Sequence, residues 1–367
     1  MANESRQMEP GHTSSFEDAI RVAPIDSHTY SAVVRPEWCI GPVPLGGYTA
    51  SILYRATAVH FKNTHGSRYK STPEPTTLYI SFINRAVVGP ALLKVQDVKI
   101  GGRISTIHVT LSQLADKHLS DHPATPDVTF LTQNEDQLEV KQVAYITASP
   151  PKTESGPSAT GPWGLYPPPP RGSQDDGSIN FPALARNSRD GEWRRYSYPA
   201  WATALRQLEV YGPGPQALAT VEDRKRRVVD QWVRFCPCGK VGRWTNEAVI
   251  LLMEVYPVAS DRMGALELSR LSSLGRVRDT AVESLPAEQL FRCPTITMTL
   301  DLKTRLPPEG VEWLYTRVTN KMLRGGRGDV DLVAVDQQGE LIALCAQTAL
   351  MVDVNRRFAR QPSSEKL

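Results

Sequence analysis

Two polar side chains stand in otherwise apolar stretches of this sequence, and each could take part in chemistry. Glu254 closely follows the apolar run 248–253, and Gln347 lies within the apolar run 341–350. Burial raises the pKa of a carboxyl group toward neutrality, and a carboxylate with such a pKa can act as a general base. A buried amide without a partner costs about 1–3 kcal/mol, so Gln347 needs a partner or has a function.

The distribution of histidine and cysteine excludes several other kinds of site. All seven histidines lie between His12 and His122, and the G-x-S-x-G motif of α/β-hydrolases is absent. These observations argue against a Ser-His-Asp hydrolase. The five cysteines predict no disulfide framework, and Cys236 and Cys238 lack the further ligands of a zinc site. We therefore expect no metal and no cofactor.

The N-terminal unit, residues 15–150, combines one helix with a set of strands. Gly46 and Gly47 precede a segment in which apolar residues from Tyr48 to Val59 recur at helical spacing. Alternating apolar and polar residues then predict strands near 78–83, 91–99, 107–112 and 140–147. This order predicts a sheet wrapped around one buried helix.

Residues 151–194 interrupt the pattern with many Pro, Gly, Ser and Asp residues. Prolines stand at 150–151 and throughout 167–170. Proline lacks a backbone N–H donor and fixes the backbone, so we predict a linker that crosses the surface.

The pattern then resumes in the C-terminal unit, residues 195–355. We predict a helix over 248–256 that is capped by Thr245 or Asn246 and ended by Pro257. Predicted strands lie at 202–210, 227–235, 295–303, 313–319, 330–334 and 341–352. Both units place a helix before a strand meander and share a Gly-Gly-Arg turn, at 101–103 and 325–327. A long internal duplication with merged sheets accounts for this repetition.

Local motifs make the chain resemble a known family. The segment 38–48, with Trp38 and Gly-Gly-Tyr at 46–48, is similar to the entrance of the first helix in TesB-like acyl-CoA thioesterases. Segments 231–235, 252–257, 298–301 and 346–347 match the second half of that family in the same order. The resemblance implies an α+β double hotdog fold, in which two antiparallel sheets, each wrapped round a central helix, merge into one. It also looks like the fungal members of the superfamily.

The same resemblance implies the site residues. Hydrolases of this family use an acidic residue from the second helix, a threonine from the next strand and a glutamine from the last strand. These roles fall on Glu254, Thr299 and Gln347, with no covalent nucleophile. The family usually has aspartate at the first position, and glutamate moves the carboxylate by about 1.5 Å. We expect Gly46, Gly47, Tyr48 and Asp301 to contact the substrate.

The function implied is hydrolysis of an acyl thioester. The substrate is a fatty or polyketide acyl chain carried on coenzyme A or on an acyl carrier protein. Two alternatives stay open. One is a hotdog lyase of the dehydratase or cyclase type, for which His60, His65 or His108 would have to serve. The other is a non-catalytic acyl-binding protein.

Bulk composition adds little about partners or location. The net charge of +3 and the lack of a long basic segment predict no nucleic-acid partner. The sequence has no run of about 18 apolar residues, so no membrane span is expected. We expect a monomer or a homodimer in the cytoplasm. The C-terminal residues Glu365, Lys366 and Leu367 only half resemble a peroxisomal tail.

Overall fold

The computed structural model describes residues 15–119, 127–159, 161, 163–213, 228–256 and 291–353. The C-terminal tripeptide lies outside these residues. The helices are α1 Phe16–Ala19, α2 Gly46–Thr64, α3 Asp116–Leu119, α4 Val128–Gln133, α5 Phe181–Asn187 and α6 Asn246–Leu252. The first ten strands are β1 Val22–Pro24, β2 Thr29–Val34, β3 Cys39–Ile40, β4 Val43–Pro44, β5 Glu74–Phe82, β6 Gly89–Lys99, β7 Ser105–Leu114, β8 Leu138–Ser149, β9 Arg189–Asp190 and β10 Trp193–Arg195. The others are β11 Leu208–Pro213, β12 Val228–Phe235, β13 Phe291–Arg292, β14 Thr295–Leu302, β15 Trp313–Thr319, β16 Leu323–Arg324, β17 Arg327–Val335, β18 Leu341–Leu350 and β19 Val352–Asp353.

One antiparallel sheet of fifteen strands runs through the described part of both units. Its order is β1-β2-β6-β7-β8-β5-β14-β18-β17-β15-β12-β11-β10-β9, with β16 paired to β17. The two units meet where β5 pairs with β14, so that Leu78 lies opposite Leu300. Outward from this seam, the first unit has the order β5-β8-β7-β6-β2 and the second unit has the order β14-β18-β17-β15-β12. Equivalent strands of the two units therefore lie at equal distances from the seam. This symmetry confirms the predicted double hotdog and supports the internal duplication.

Helix α2 is the central helix of the first unit. Twelve of its nineteen residues are buried, and it packs against α6 and several strands of its own unit. Small polar residues in this buried helix satisfy their hydroxyl groups locally. Ser51 donates to the Gly47 carbonyl, Thr57 to the Leu53 carbonyl and Thr49 to the Gly46 carbonyl. The helix thereby buries these hydroxyls without losing their hydrogen bonds.

Helix α6 begins as predicted but ends four residues earlier than predicted. The Thr245 hydroxyl caps it by accepting from the Ala248 N–H at 3.4 Å. After Leu252 the chain tightens, because the Glu254 and Val255 N–H groups bond to carbonyls three residues back, at 3.1 and 3.0 Å. Such turns commonly close helix ends. Glu254 therefore lies in the turn after the helix rather than within it.

The segment predicted to be a linker is partly built into the C-terminal unit. Strand β10 pairs with β11, and helix α5 buries Leu184 against Trp193 and other aromatic side chains. Proline has no backbone N–H to donate, but its carbonyl oxygen can still accept a hydrogen bond. The Pro167 carbonyl accepts from Arg317 at 2.6 Å, and the Pro170 carbonyl accepts from Trp193 Nε1 at 3.2 Å. The surface linker predicted for 151–194 is therefore wrong for 181–194, while the division into units stays a prediction.

Other local predictions hold in part. The Gly325-Gly326 turn has φ values of +59° and +78° and joins β16 to β17, a conformation that favours glycine. The predicted strand 202–210 is wrong before residue 208, because 205–207 form a 3₁₀ turn. The five cysteines all lie among the described residues, and no disulfide bond joins any of them. Within the described part of the chain, no helix is both long and apolar enough to traverse a bilayer.

Candidate active site

Glu254 connects the two central helices. Its side chain is only 8% exposed, and Oε2 accepts a short hydrogen bond from the Gly47 N–H at the start of α2. Oε1 accepts from the Thr295 hydroxyl at 3.0 Å. The positive end of the α2 dipole therefore faces a carboxylate contributed by the other unit. The site belongs to the pair of hotdog units rather than to either one.

Two glycines make this contact sterically feasible. A Cβ atom added at Gly46 would lie 2.6 Å from Oε1 of Glu254 and 2.8 Å from the Phe82 ring. A Cβ atom added at Gly47 would lie 2.9 Å from the backbone carbonyl oxygens of Ile250 and Leu251. We expected Gly46 and Gly47 to let the backbone approach a substrate. In the structure, the group that approaches them is the Glu254 carboxylate.

Thr295 and Gln347 complete the cluster around Glu254. The Thr295 hydroxyl lies 3.2 Å from Oε1 of Gln347 and 2.9 Å from the hydroxyl of Tyr256. Gln347 Nε2 donates to the Met253 carbonyl at 2.7 Å and lies 3.4 Å from the Cys345 sulfur. Gln347 is buried, so these bonds satisfy an amide that would otherwise be costly. The structure brings Glu254 and Gln347 together through a threonine.

The environment keeps Glu254 close to the titration range of a general base. Burial raises the pKa of its carboxyl group from 4.5 to about 7. Hydrogen bonds from Gly47, Thr295 and Gly46 oppose this rise, but the loss of hydration outweighs them. A base with such a pKa is about half ionised at neutral pH, where it can both accept and return a proton.

The bonded hydroxyls suit both protonation states of Glu254. When the carboxyl is ionised, Thr295 donates to it and can accept from the Tyr256 hydroxyl. When the carboxyl is protonated, it can donate to Thr295, which then donates to Oε1 of Gln347. Small rotations of hydroxyl groups therefore accommodate Glu254 with or without its proton, without any change in the heavy-atom positions.

The structure overturns the placement of Thr299. Thr299 is exposed, and its strand neighbours across the sheet are Tyr79 and Ala346, which are exposed as well. It points away from the face on which Glu254 and Gln347 lie. Thr295, four residues earlier on β14, occupies the position that we expected for Thr299.

A β-bulge explains this exchange. Strict alternation would put Thr295, Thr297 and Thr299 on one face of β14. However, Thr295 pairs with Ala349 and Thr297 pairs with the adjacent Thr348, so one extra residue is accommodated at Ile296. The bulge turns Thr295 inward while the two later threonines face outward. Only the register shows this reversal.

Two further predicted contact residues also lie elsewhere. Asp301 is on the outer face of β14, where it accepts from Thr77 at 3.4 Å and forms an ion pair with Lys303. Tyr48 is completely buried, and its hydroxyl donates to the Ala19 carbonyl at 2.8 Å and accepts from the Arg35 N–H at 3.0 Å. Asp301 follows the outward alternation and Tyr48 belongs to the core, and their contact with a substrate stays a prediction.

Other candidate groups lie apart from the Glu254 cluster. Among the described residues, the cluster itself contains one carboxylate and no histidine, a poor set for a metal ion. His60 lies fourteen residues along α2 from Gly46, roughly 21 Å at the rise of an α-helix. A surface cavity of about 620 Å³ lies beside the β6–β7 turn, and its lining, which includes Lys99 and Arg103, shares no residue with the cluster.

Comparisons with known proteins agree with this architecture. The acyl-CoA thioesterase C-terminal domain matches residues 181–351, and the acyl-CoA thioesterase N-terminal domain matches residues 34–125. The chain is 30% identical to the thioesterase-like protein TwmA of Talaromyces wortmannii, over 97% of both chains. It is 22% identical to the ustilagic acid biosynthesis cluster protein orf2 of Mycosarcoma maydis, over 100% of this chain and 94% of that protein.

A solved structure shares the fold at low sequence identity. It is a protein with a hot dog fold from Alicyclobacillus acidocaldarius, 17% identical, with a TM-score of 0.56 over 93% of this chain and 99% of that one. The likeness extends through both halves of the chain, as the two matched domains do. The chain therefore belongs to the acyl-CoA thioesterase family, a family of double hotdog thioester hydrolases.

Proposed function

We propose that this enzyme hydrolyses an acyl thioester with Glu254 as the general base, while Thr295 and Gln347 position the reacting groups. The observation that carries the proposal is the Glu254 carboxyl at the start of α2. This carboxyl is buried, has a pKa of about 7 and accepts a hydrogen bond from Thr295. Family membership supports the reaction class. The geometry supports the choice of residues.

The chemistry follows from these positions. The Glu254 carboxylate accepts a proton from a water molecule as the water oxygen attacks the thioester carbon. The resulting oxyanion lies near the N-terminus of α2, where the helix dipole favours negative charge. When the C–S bond breaks, the proton on Glu254 passes to the leaving thiolate. The products are a carboxylic acid and a free thiol, and the base is restored.

Glutamate in place of the usual aspartate suits this chain. The Gly46-Gly47 pair leaves room beside α2, and the longer side chain spans that room to reach the Gly47 N–H. An aspartate would end about 1.5 Å short and leave this N–H without its acceptor. The departure from the family pattern is therefore compatible with an active carboxylate.

We propose a fatty or polyketide acyl chain as the substrate, carried by coenzyme A or by an acyl carrier protein. The names of the two fungal relatives support acyl chemistry in a biosynthetic setting. The lyase alternative receives less support, because His60 and His65 lie at the far end of α2 from Glu254.

The matched pair Thr295→Val and Thr299→Val tests the assignment. Free-thiol release is measured from a panel of acyl-CoA esters and from acyl chains on a carrier protein. Removing a hydrogen bond to a charged group costs about 1.5–3 kcal/mol, so Thr295→Val should lower kcat/KM about tenfold to a hundredfold. Thr299→Val, on the outer face, should retain wild-type activity.

Two results would contradict the proposal. Equal losses in the two threonine variants would show that Thr295 has no special role. Acyl-CoA binding without thiol release by the wild-type protein, on any thioester of the panel, would favour the acyl-binding alternative.

A further inference from the structure

A second group of ionisable side chains lies at the opposite end of α2. His60 and His65 come from the last turn and the C-cap of α2, His28 from the loop before β2, and Asp97 from β6. All three rings present Nε2 to the Asp97 carboxylate, at 2.8 Å for His60, 2.8 Å for His65 and 3.5 Å for His28. Three sequence segments that are remote from one another thus converge on one carboxylate.

We propose that His28, His60 and Asp97 form a binding site for a zinc-class divalent ion, with His65 bonded to Asp97 beside it. A tetrahedral ion with bonds of about 2.0–2.1 Å holds its ligand atoms about 3.3 Å apart. The distances from Asp97 to the rings bracket this spacing, and the ligand atoms of His28, His60 and Asp97 all lie within 4.8 Å of one another. Imidazole nitrogen and carboxylate oxygen are ligands that zinc accepts.

The outer hydrogen bonds also resemble those of a metal site. His28 Nδ1 lies 2.8 Å from the Ser27 hydroxyl, and His60 Nδ1 lies 2.9 Å from the Tyr30 hydroxyl. Metal-bound histidines usually donate their other ring N–H to such a partner, which fixes the ring orientation. The Tyr30 hydroxyl can then donate its own hydrogen bond to the Ser27 carbonyl, 2.8 Å away.

The same groups are satisfied before an ion enters. Neutral His60 donates from Nε2 to Asp97 and accepts at Nδ1 from Tyr30. Burial lowers the pKa of His60 despite its bond to Asp97, which favours this neutral form. Binding an ion at Nε2 of His60 would move the ring proton from Nε2 to Nδ1, with no net loss of a proton, and would reverse the direction of the Tyr30 hydrogen bond. The side chain of His28 is 45% exposed, so an ion can enter from its side.

The proposed ion would stabilise the fold rather than catalyse. It would tie the end of α2 to β6 and to the loop before β2, roughly 21 Å along the helix from Gly46. Since an ion that binds only the folded state stabilises it by mass action, zinc should raise the melting temperature. This inference differs from our sequence-based expectation of no metal, and it does not depend on the proposed hydrolase mechanism.

The test uses the full chain, stripped with a chelator and titrated with zinc against a chromophoric competitor. His28→Gln removes a partly exposed ligand, and His65→Gln removes a histidine that orients the Asp97 carboxylate. His108→Gln removes a histidine from β7 that lies outside the cluster. We expect one zinc per chain in the wild type and in His108→Gln. His28→Gln and His65→Gln should each bind zinc at least tenfold more weakly and lose the zinc-dependent rise in melting temperature.

A cobalt spectrum separates this site from the cysteines. Cobalt bound by the histidine cluster should give weak ligand-field bands without a thiolate charge-transfer band, whereas Cys236 and Cys238 would produce that band. The proposal is overturned if the wild-type chain binds no zinc, if all the variants bind it equally, or if the spectrum shows thiolate ligation. The metal-free melting temperatures of His28→Gln and His65→Gln identify any folding defect, and the cobalt spectrum of the wild type decides the question independently of them.

Discussion

Replacement of Glu254 by glutamine should make the protein more stable at alkaline pH while removing its activity. The glutamine amide has nearly the shape of a protonated glutamate. Its oxygen can accept from the Gly47 N–H, and its NH₂ group can donate to Thr295, which then donates to Gln347. The variant therefore resembles wild-type protein in which Glu254 carries its proton at every pH.

The magnitude follows from the pKa of Glu254. Burial raises this pKa from 4.5 to about 7 in the folded state. The folded protein thus holds a proton that the unfolded chain releases between these two values. Stability contributed by Glu254 is complete below pH 4.5 and falls as the pH rises to about 7, by about 3 kcal/mol in total. The Glu254→Gln variant lacks this loss.

Urea unfolding of the two proteins at pH 5 and pH 8 measures the effect. The variant should gain about 2.5 kcal/mol over the wild type between these two pH values, because other titrating groups are common to both proteins and cancel. Asp301→Asn is the matched control, since Asp301 lies on the outer face of the sheet and is partly exposed. Its stability relative to the wild type should change little between the two pH values.

The outcome bears directly on the catalytic proposal. A stability difference that is the same at pH 5 and pH 8 would mean that Glu254 titrates normally and is not held near neutrality by burial. Thiol release within fivefold of wild type in Glu254→Gln would mean that another group activates water. Either result would refute the assignment of Glu254 as the base.

Two further predictions concern the same cluster. The kcat/KM of the wild type should rise about tenfold per pH unit below pH 7 and level off above it, since the base must be ionised; a rate that is flat from pH 5 to pH 8 would contradict this. Gly47→Ala should destabilise the fold by about 1–3 kcal/mol and reduce activity, because its Cβ would meet two backbone carbonyls. Gly102→Ala, where nothing lies within 4 Å of the added Cβ, is the control and should change neither quantity; equal effects in both glycine variants would refute this steric argument.

Much of the fold was predictable because its periodic patterns are local. Alternation along β6, β7 and β18 and the apolar face of α2 specify their elements without long-range information. The end of α6 was less predictable. Its apolar residues continue past Leu252, and composition does not reveal the tight turn that carries Glu254. The segment 181–194 was missed because it follows a proline-rich stretch and has only a few aromatic and aliphatic anchors among its polar residues.

Some residues of the candidate site were likewise identifiable from local sequence and one was not. Glu254 and Gln347 were identifiable from the sequence, since each is a polar residue in an apolar stretch and each matches the family pattern. Thr295 was not identifiable, because the threonines of β14 recur at every second residue and alternation assigns them all to one face. Choosing among them requires knowing where the strand pairing slips.

The sequence by itself determined the elements, the duplication and the carboxylate, because these depend on residue type and on spacing along the chain. The tertiary structure decided which groups meet that carboxylate. The bulge at Ile296 turns Thr295 inward, and the packing of α2 against α6 brings the Gly47 N–H to Glu254 across 207 residues of sequence. Strand register and the approach of two helices depend on contacts between distant segments, and local sequence patterns do not predict those contacts.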